Sequence, residues 1–159
     1  MRQNFSDRAS FLKATVPLRN ASFYGTDLVY DKAAGTLTFA LTRVDASQGG
    51  AGGFLGSRKA SYIRTGVTVR HITSYTQSLA GEPEDVYVFD RAEVGRGGQE
   101  LAFFFRPGDR AVMDVEQIDG FVEDEGRATS APRQPVIENP LLKEERKTAK
   151  MGKSGKKSR

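Results

Sequence analysis

Residues 22–45, SFYGTDLVYDKAAGTLTFALTRVD, decide the fold. Phe23, Gly25, Asp27 and Val29 alternate with Tyr24, Thr26, Leu28 and Tyr30; DKAAG then interrupts. Beyond it Leu37, Phe39 and Leu41 alternate with Thr36, Thr38, Ala40 and Thr42. A period of two sends successive side chains to opposite faces, so one face can bury apolar groups while the other meets water. Two such runs around a glycine-containing break predict a β-hairpin.

The same period recurs on the C-terminal side. Tyr62, Val67, Val69, Ile72 and Tyr75 fit one long strand kinked near Gly66. VYVFDRAEV (86–94) reads as a strand and GRGG (95–98) as a turn. QELAFFFRPGDRAVMDV (99–115) reads as a second hairpin, with Pro107-Gly108 at the centre of a type II turn in a slightly longer loop. Between Gly49 and Gly56 five glycines offer little to pack and are costly to order, which predicts a mobile loop. Short strands in hairpins argue for a mainly β domain, a single antiparallel meander curled into a barrel, a roll or a pleckstrin-homology-like half-barrel. Leu28, Phe39, Leu41, Val69, Val88, Phe103 and Val115 are its expected core.

After Val115 the spacing changes. Val115, Ile118, Phe121 and Val122 share one helical face, with Asp114 as cap and Gly126 as stop, so one short C-terminal helix is expected. Gly120 costs such a helix about 1 kcal/mol, and a strand through DGFVEDE is the competing assignment. Three prolines fall within residues 132–140, and charge follows. The expected organisation is an N-terminal extension over 1–19, a β domain over 20–126, and a proline-containing linker with a disordered basic tail over 127–159.

Charge follows that division. Residues 1–126 hold 14 basic and 17 acidic side chains, whereas residues 127–159 hold 10 basic and 3 acidic ones. The overall +4 therefore belongs to the tail, and the domain itself is net acidic. Arg146, Lys147, Lys150, Lys153, Lys156, Lys157 and Arg159 follow one another with no acid among them. They form a candidate electrostatic arm for RNA, a ribosome or an acidic protein.

Other chemistries find little support. With no cysteine, the chain has neither disulfides nor thiolate nucleophiles nor thiolate metal ligands. No apolar run suits a signal peptide or a membrane span, so a cytoplasmic location is expected. An organelle ranks second, on the four basic residues and one acid of the first twenty. His71 is the sole histidine; on a strand it would share a face with Val67, Val69 and Tyr75 as a hydrogen-bonded structural residue rather than a base. The acids Asp114, Glu116, Asp119, Glu123, Asp124 and Glu125 lack the spacing of a calcium loop and read as a solvated face. GGAGGFLG has phosphate-cradle glycines but opens no helix, and GKS (152–154) follows no strand, so neither fixes the backbone N–H groups that an anion needs. Phe103 and Phe105 should face the core, leaving Phe104 on the opposite face, packed under another segment or marking a contact surface. No cofactor or metal site is expected, and no catalytic constellation stands out.

Three stretches together resemble a known family. They are ASFYGTDLVYDKAAGTLTFALTRVD, SRKASYIRTGVTVRHITSYTQS and QELAFFFRPGDRAVMDVEQIDGFVEDEG. The succession is similar to a small bacterial family of β-rich cytoplasmic domains of unknown function. That family's second strand is matched by residues Phe39 to Asp45, its basic step by Arg58-Lys59, and its closing segment by Ala111 to Gly126. The resemblance covers about residues 15–126, and the tryptophan usual in the family is absent here. No activity is assigned to the family, so the resemblance implies no catalytic residue. The sequence thus points to a non-catalytic binding or interaction module with a basic arm. A structural subunit whose tail orders on docking is the second reading, and an enzyme without a recognisable motif is the third.

Overall fold

A computed structural model of the protein describes residues 1–45 and 61–134. The glycine-rich stretch and the seven basic tail residues lie outside the described residues, as does Arg58-Lys59. The chain is mainly β, as expected. Strand β1 (Arg2–Phe5) leads into helix α1 (Arg8–Thr15), followed by a 3-10 turn at Val16–Leu18. Strands β2 (Ser22–Tyr24), β3 (Val29–Asp31), β4 (Thr36–Val44) and β5 (Tyr62–Val69) come next. Then follow β6 (Ile72–Ser78), β7 (Val86–Val94), β8 (Glu100–Arg106), β9 (Asp109–Val115) and β10 (Gly120–Ala128).

All ten strands join one antiparallel sheet in the order β1-β10-β5-β4-β2-β7-β8-β9-β6, with β3 also paired to β4. The sheet folds over its own inner face without closing. The ring of Phe39 on β4 meets that of Phe103 on β8 with centroids 5.3 Å apart. Across the open seam Tyr30 of β3 stacks on Tyr75 of β6 at 4.5 Å, and the Ile72 N–H donates to the Gly35 carbonyl at 2.9 Å. Pairing is only partly sequential: β7–β8–β9 is a meander, but β6 crosses to β9 and β10 returns to β5 and β1.

The one α-helix among the described residues is N-terminal, and residues 1–19 are built into the domain rather than preceding it. Asp7 caps the helix: its Oδ1 accepts the Ser10 N–H at 2.7 Å, while Ser10 Oγ accepts the Asp7 N–H at 3.1 Å. The helix then buries Phe11, Ala14 and Thr15, three and four residues apart, under the sheet. Phe11 lies edge-on to Phe5 at 5.2 Å and tilts against Phe103 at 5.7 Å. Charge on Arg8, Lys13 and Arg19 disguised a segment that turns Phe11, Ala14 and Leu18 inward.

Five expectations on the strands and their turns need correction. Residues 120–128 form strand β10 instead of a helix, with Val122 buried and Phe121 on the other face. At Gly120 a Cβ would run into the Thr68 carbonyl and the Phe5 ring, so glycine here serves close strand packing. The first strand of the opening hairpin is split by a 3-10 turn at Gly25–Asp27. There the Pro83 carbonyl leaves no room for a side chain on Gly25, and the Asp27 carboxylate accepts the Tyr24 N–H at 3.0 Å.

The long strand over 62–77 breaks at Arg70-His71, not at Gly66, because His71 takes a left-handed φ of 60° and redirects the chain toward β9. Gly66 stays in regular register between Ala40 and Glu123. On β7 the faces are reversed: Tyr87 and Phe89 are buried, and Val88 is only partly so. A bulge at Asp90 shifts the register between Phe89 and Arg91, which flips the alternation and brings Ala92 and Val94 against the core. The Phe105–Asp109 turn is not type II, since the Arg106–Pro107 peptide is cis and the Gly108 N–H donates to the Phe105 carbonyl. The remaining expected core residues, Leu28, Phe39, Leu41, Val69, Phe103 and Val115, are all buried.

Candidate interaction surface

Three polar arrangements are built on this sheet, and the two outer ones flank it. The first lies at the turn between β5 and β6. Arg70 donates twice to Asp119, Nε at 3.0 Å and Nη2 at 3.1 Å, and His71 Nε2 sits 3.1 Å from Asp119 Oδ2. His71 is thus at a half-exposed turn, away from the Val67–Val69–Tyr75 face on which the strand reading put it. A shared, doubly clamped carboxylate orients the imidazole. Among the described residues no hydroxyl is hydrogen-bonded to this histidine, so the pair has the geometry of an electrostatic brace.

The second arrangement is internal. Arg43 Nη2 donates to both oxygens of Asp124, at 3.0 and 3.1 Å, and its Nε donates to Thr65 Oγ1 at 3.1 Å. Thr65 Oγ1 donates to Asp124 Oδ1 at 2.9 Å, and the N-terminal ammonium lies 3.8 Å from Oδ2. Burial works against the Asp124 charge, yet the hydrogen bonds from Arg43 and Thr65 prevail and hold its carboxyl below the ordinary value. The acidic run is therefore a solvated face only in part: Asp114, Glu116 and Glu125 are exposed, while Asp119, Glu123 and Asp124 are partly buried. Asp114 accepts from Ser74, Asp119 from Arg70, Asp124 from Arg43 and Glu125 from Arg64. These pairings point the acids in different directions, and no metal-binding cluster of three or more occurs among the described residues.

The third arrangement is the candidate surface, on the outer face of β7, β8 and β9. Phe104 is only partly buried, and register sets Arg91 on one side of it and Arg110 on the other. The Asp90 bulge makes that pairing, for without it Arg91 would not fall opposite Phe104. The Arg91 guanidinium lies over the Phe104 ring, 4.2 Å from its centroid. Hydrogen bonds to Asp90 at 2.7 Å and Glu93 at 2.8 Å fix it there. Arg106, next along β8, donates to Asn20 Oδ1. Arg110 is exposed and has no side-chain partner among the described residues.

These side chains line a groove of about 480 Å³ that Ser78, Pro107 and Gly108 complete. Beneath it Asp109 is 2% exposed; Oδ1 accepts the Ala80 N–H, and Oδ2 has no partner among the described residues. Arg91 makes a cation–π contact with Phe104, which stays partly exposed; the tail expected to pack over it lies outside the described residues, and the expected helix is strand β10. A flat ring between guanidinium groups can stack planar groups and hold anions.

Sequence reasoning set Phe104 on the outer face as a candidate contact residue but missed Arg91, because a bulge leaves no mark in a hydrophobic pattern. Arg43 and Asp124, 81 residues apart, were equally hidden. The seven tail residues lie outside the described residues. No helix among the described residues is long and apolar enough to cross a membrane. No protein-family model, curated protein or solved structure matches the chain significantly.

Proposed function

We propose that the chain is a non-catalytic binding module for an acidic partner, single-stranded RNA foremost, free or in a ribosome. The groove around Phe104 would be its fixed contact and the tail from Arg146 to Arg159 its electrostatic arm. The observation that carries this reading is the Phe104 ring set in register between Arg91 and Arg110, with Arg106 beside it. Stacking on an aromatic ring is indifferent to base identity, and arginines nearby neutralise phosphate. The body is net acidic, so a groove alone would bind weakly, and the arm would supply most of the attraction at low salt. In this proposal the chain belongs with the bacterial domains of unknown function that it resembles, and it works in the cytoplasm.

The test is binding of a fluorescent single-stranded RNA to the full chain and to a chain ending at Pro140, over a range of salt. Binding without sequence preference is expected, steeply weakened by salt, with the slope reduced by the truncation. Equal affinity of both chains at low salt would remove the arm. If neither binds RNA at low salt, the RNA reading fails altogether.

A further inference from the structure

We propose that strand β6 is a self-association edge, along which two copies of this chain pair antiparallel into a continuous sheet. β6 ends the strand order, and among the described residues its only strand partner is β9. Its seven residues, ITSYTQS, carry no charge and no proline, and from Thr73 to Ser78 all but Tyr75 are exposed. A strand so placed presents alternate N–H and C=O groups to whatever lies beside it. From Thr73 onward none of these groups finds a backbone partner on the free side among the described residues; only Ile72 does, with Gly35.

Natural edges are usually protected by brevity, by lysine or proline, or by inward-pointing charge. The opposite edge, β1, follows that rule: it has four residues, and Arg2 stands on it over the Phe121 ring at 3.8 Å. β6 is longer and neutral, and Thr, Tyr and Ile give it strong β character. Its one irregularity, the register shift between Ile72 and Ser74, lies at the end already tied to Gly35.

Charge on the neighbouring strand selects the occupant. On β9, Asp114 stands opposite Ser74 and Arg110 opposite Ser78, so the β6 edge has an acidic end and a basic end. A second copy running antiparallel brings the acidic end of one chain beside the basic end of the other, whereas a parallel copy sets like with like. Antiparallel pairing of one strand with itself also closes as a twofold dimer, the commonest oligomer, and leaves only the short, Arg2-bearing β1 edges at its ends. The proposal does not depend on the RNA reading: Ser78 and Arg110 border both the groove and this edge, but neither RNA binding nor the tail enters the argument.

The test uses the full chain at several concentrations in sedimentation equilibrium, together with hydrogen exchange of the β6 amides. The wild-type chain is expected to show a dimer mass, with Thr73–Ser78 amides slowing as concentration rises. Ser74→Lys with Thr76→Lys puts lysines on the outward face of β6, where paired copies would oppose like charges, and should weaken the dimer at least about tenfold. A Val29→Lys control, on exposed β3, should leave the mass unchanged. The proposal is overturned by a wild-type chain that stays monomeric up to about 1 mM. It is also overturned by a dimer whose β6 amides exchange at a rate independent of concentration, a readout that holds even if the double variant fails to fold.

Discussion

The two halves of the sheet solve the same problem in different currencies. In the half made of β2, β7, β8, β9 and β6, the inner face is aromatic: Phe23, Tyr87, Phe89, Phe103 and Phe105 are buried, with Leu101 and Met113. Its arginines, Arg91, Arg106 and Arg110, stand outside, and the one buried acid in it is Asp109 at the start of β9. In the half made of β1, β10, β5 and β4, the inner face is mostly aliphatic, from Leu37, Leu41, Val67, Val69 and Val122. Toward one end it admits the Arg43–Thr65–Asp124 network. Apolar contact is non-directional and tolerates imperfect geometry, whereas a buried charge must find all of its partners at once. The aromatic half should therefore fail by volume, and the aliphatic half by protonation or loss of one partner.

Volume gives the largest expected effect. Phe103 is fully buried and touches the rings of Phe11, Phe39 and Phe89, joining helix, both sheet halves and core. Phe103→Ala should cost about 3–5 kcal/mol in urea unfolding, while Phe103→Leu keeps much of the volume and should cost clearly less. If alanine at this position costs under about 1 kcal/mol, the aromatic half is not the packed centre described here.

Loss of a partner comes next. Arg43→Ala leaves Asp124 largely buried with only Thr65 and the terminal amine, and should cost about 2 kcal/mol. Adding Asp124→Asn removes the stranded charge, so the double variant should be more stable than the sum of the single changes requires. Strict additivity in this cycle would mean that the two residues do not act together.

Acidity separates the halves without any mutation. The Asp124 carboxyl is held below its ordinary value of 3.8, so its contribution to stability is complete above that pH and fades as pH falls through the lower folded value. Tyr75 and Tyr87 behave oppositely. Burial raises both phenols above their ordinary 10.0, so their contribution is complete below pH 10 and is lost as pH rises toward the folded value. Melting temperature against pH should have two shoulders. Asp124→Asn should flatten only the acid one, and Tyr75→Phe should soften only the alkaline one.

Much of the strand content was legible because burial on one face imposes period two, which is visible at Leu37, Phe39 and Leu41. What sequence hid was every place where the backbone leaves that period. The bulge at Asp90 reversed the faces of β7, so Val88 was chosen over Tyr87 and Phe89. The left-handed His71 ended a strand that apolar spacing carried straight on. Gly120 read as a flaw in a helix, yet it is the gap into which Phe5 packs. The candidate groove was half legible. Phe104, Arg106 and Arg110 are neighbours in sequence, but Arg91 reaches them only through a register shift.

The smallest stability effect is also the one that tests the groove. Phe104 is partly buried, and its main specific contact is the Arg91 guanidinium. Phe104→Ala removes a cation–π contact worth about 0.5–1 kcal/mol at an exposed site, so the melting temperature should move little. Phe103→Ala, one residue away on the other face, should move it greatly. RNA affinity should rank the two in reverse, at a temperature where both proteins are folded. A stacked base is worth about 1–3 kcal/mol, so Phe104→Ala should weaken RNA binding by roughly 5-fold to 160-fold while leaving the salt slope nearly unchanged. Arg110→Ala should do the opposite, lowering the slope by about one and the affinity modestly, as the loss of one phosphate contact requires. If Phe104→Ala binds RNA as the wild-type chain does, the ring serves only as a seat for Arg91, and any affinity for RNA belongs to the tail.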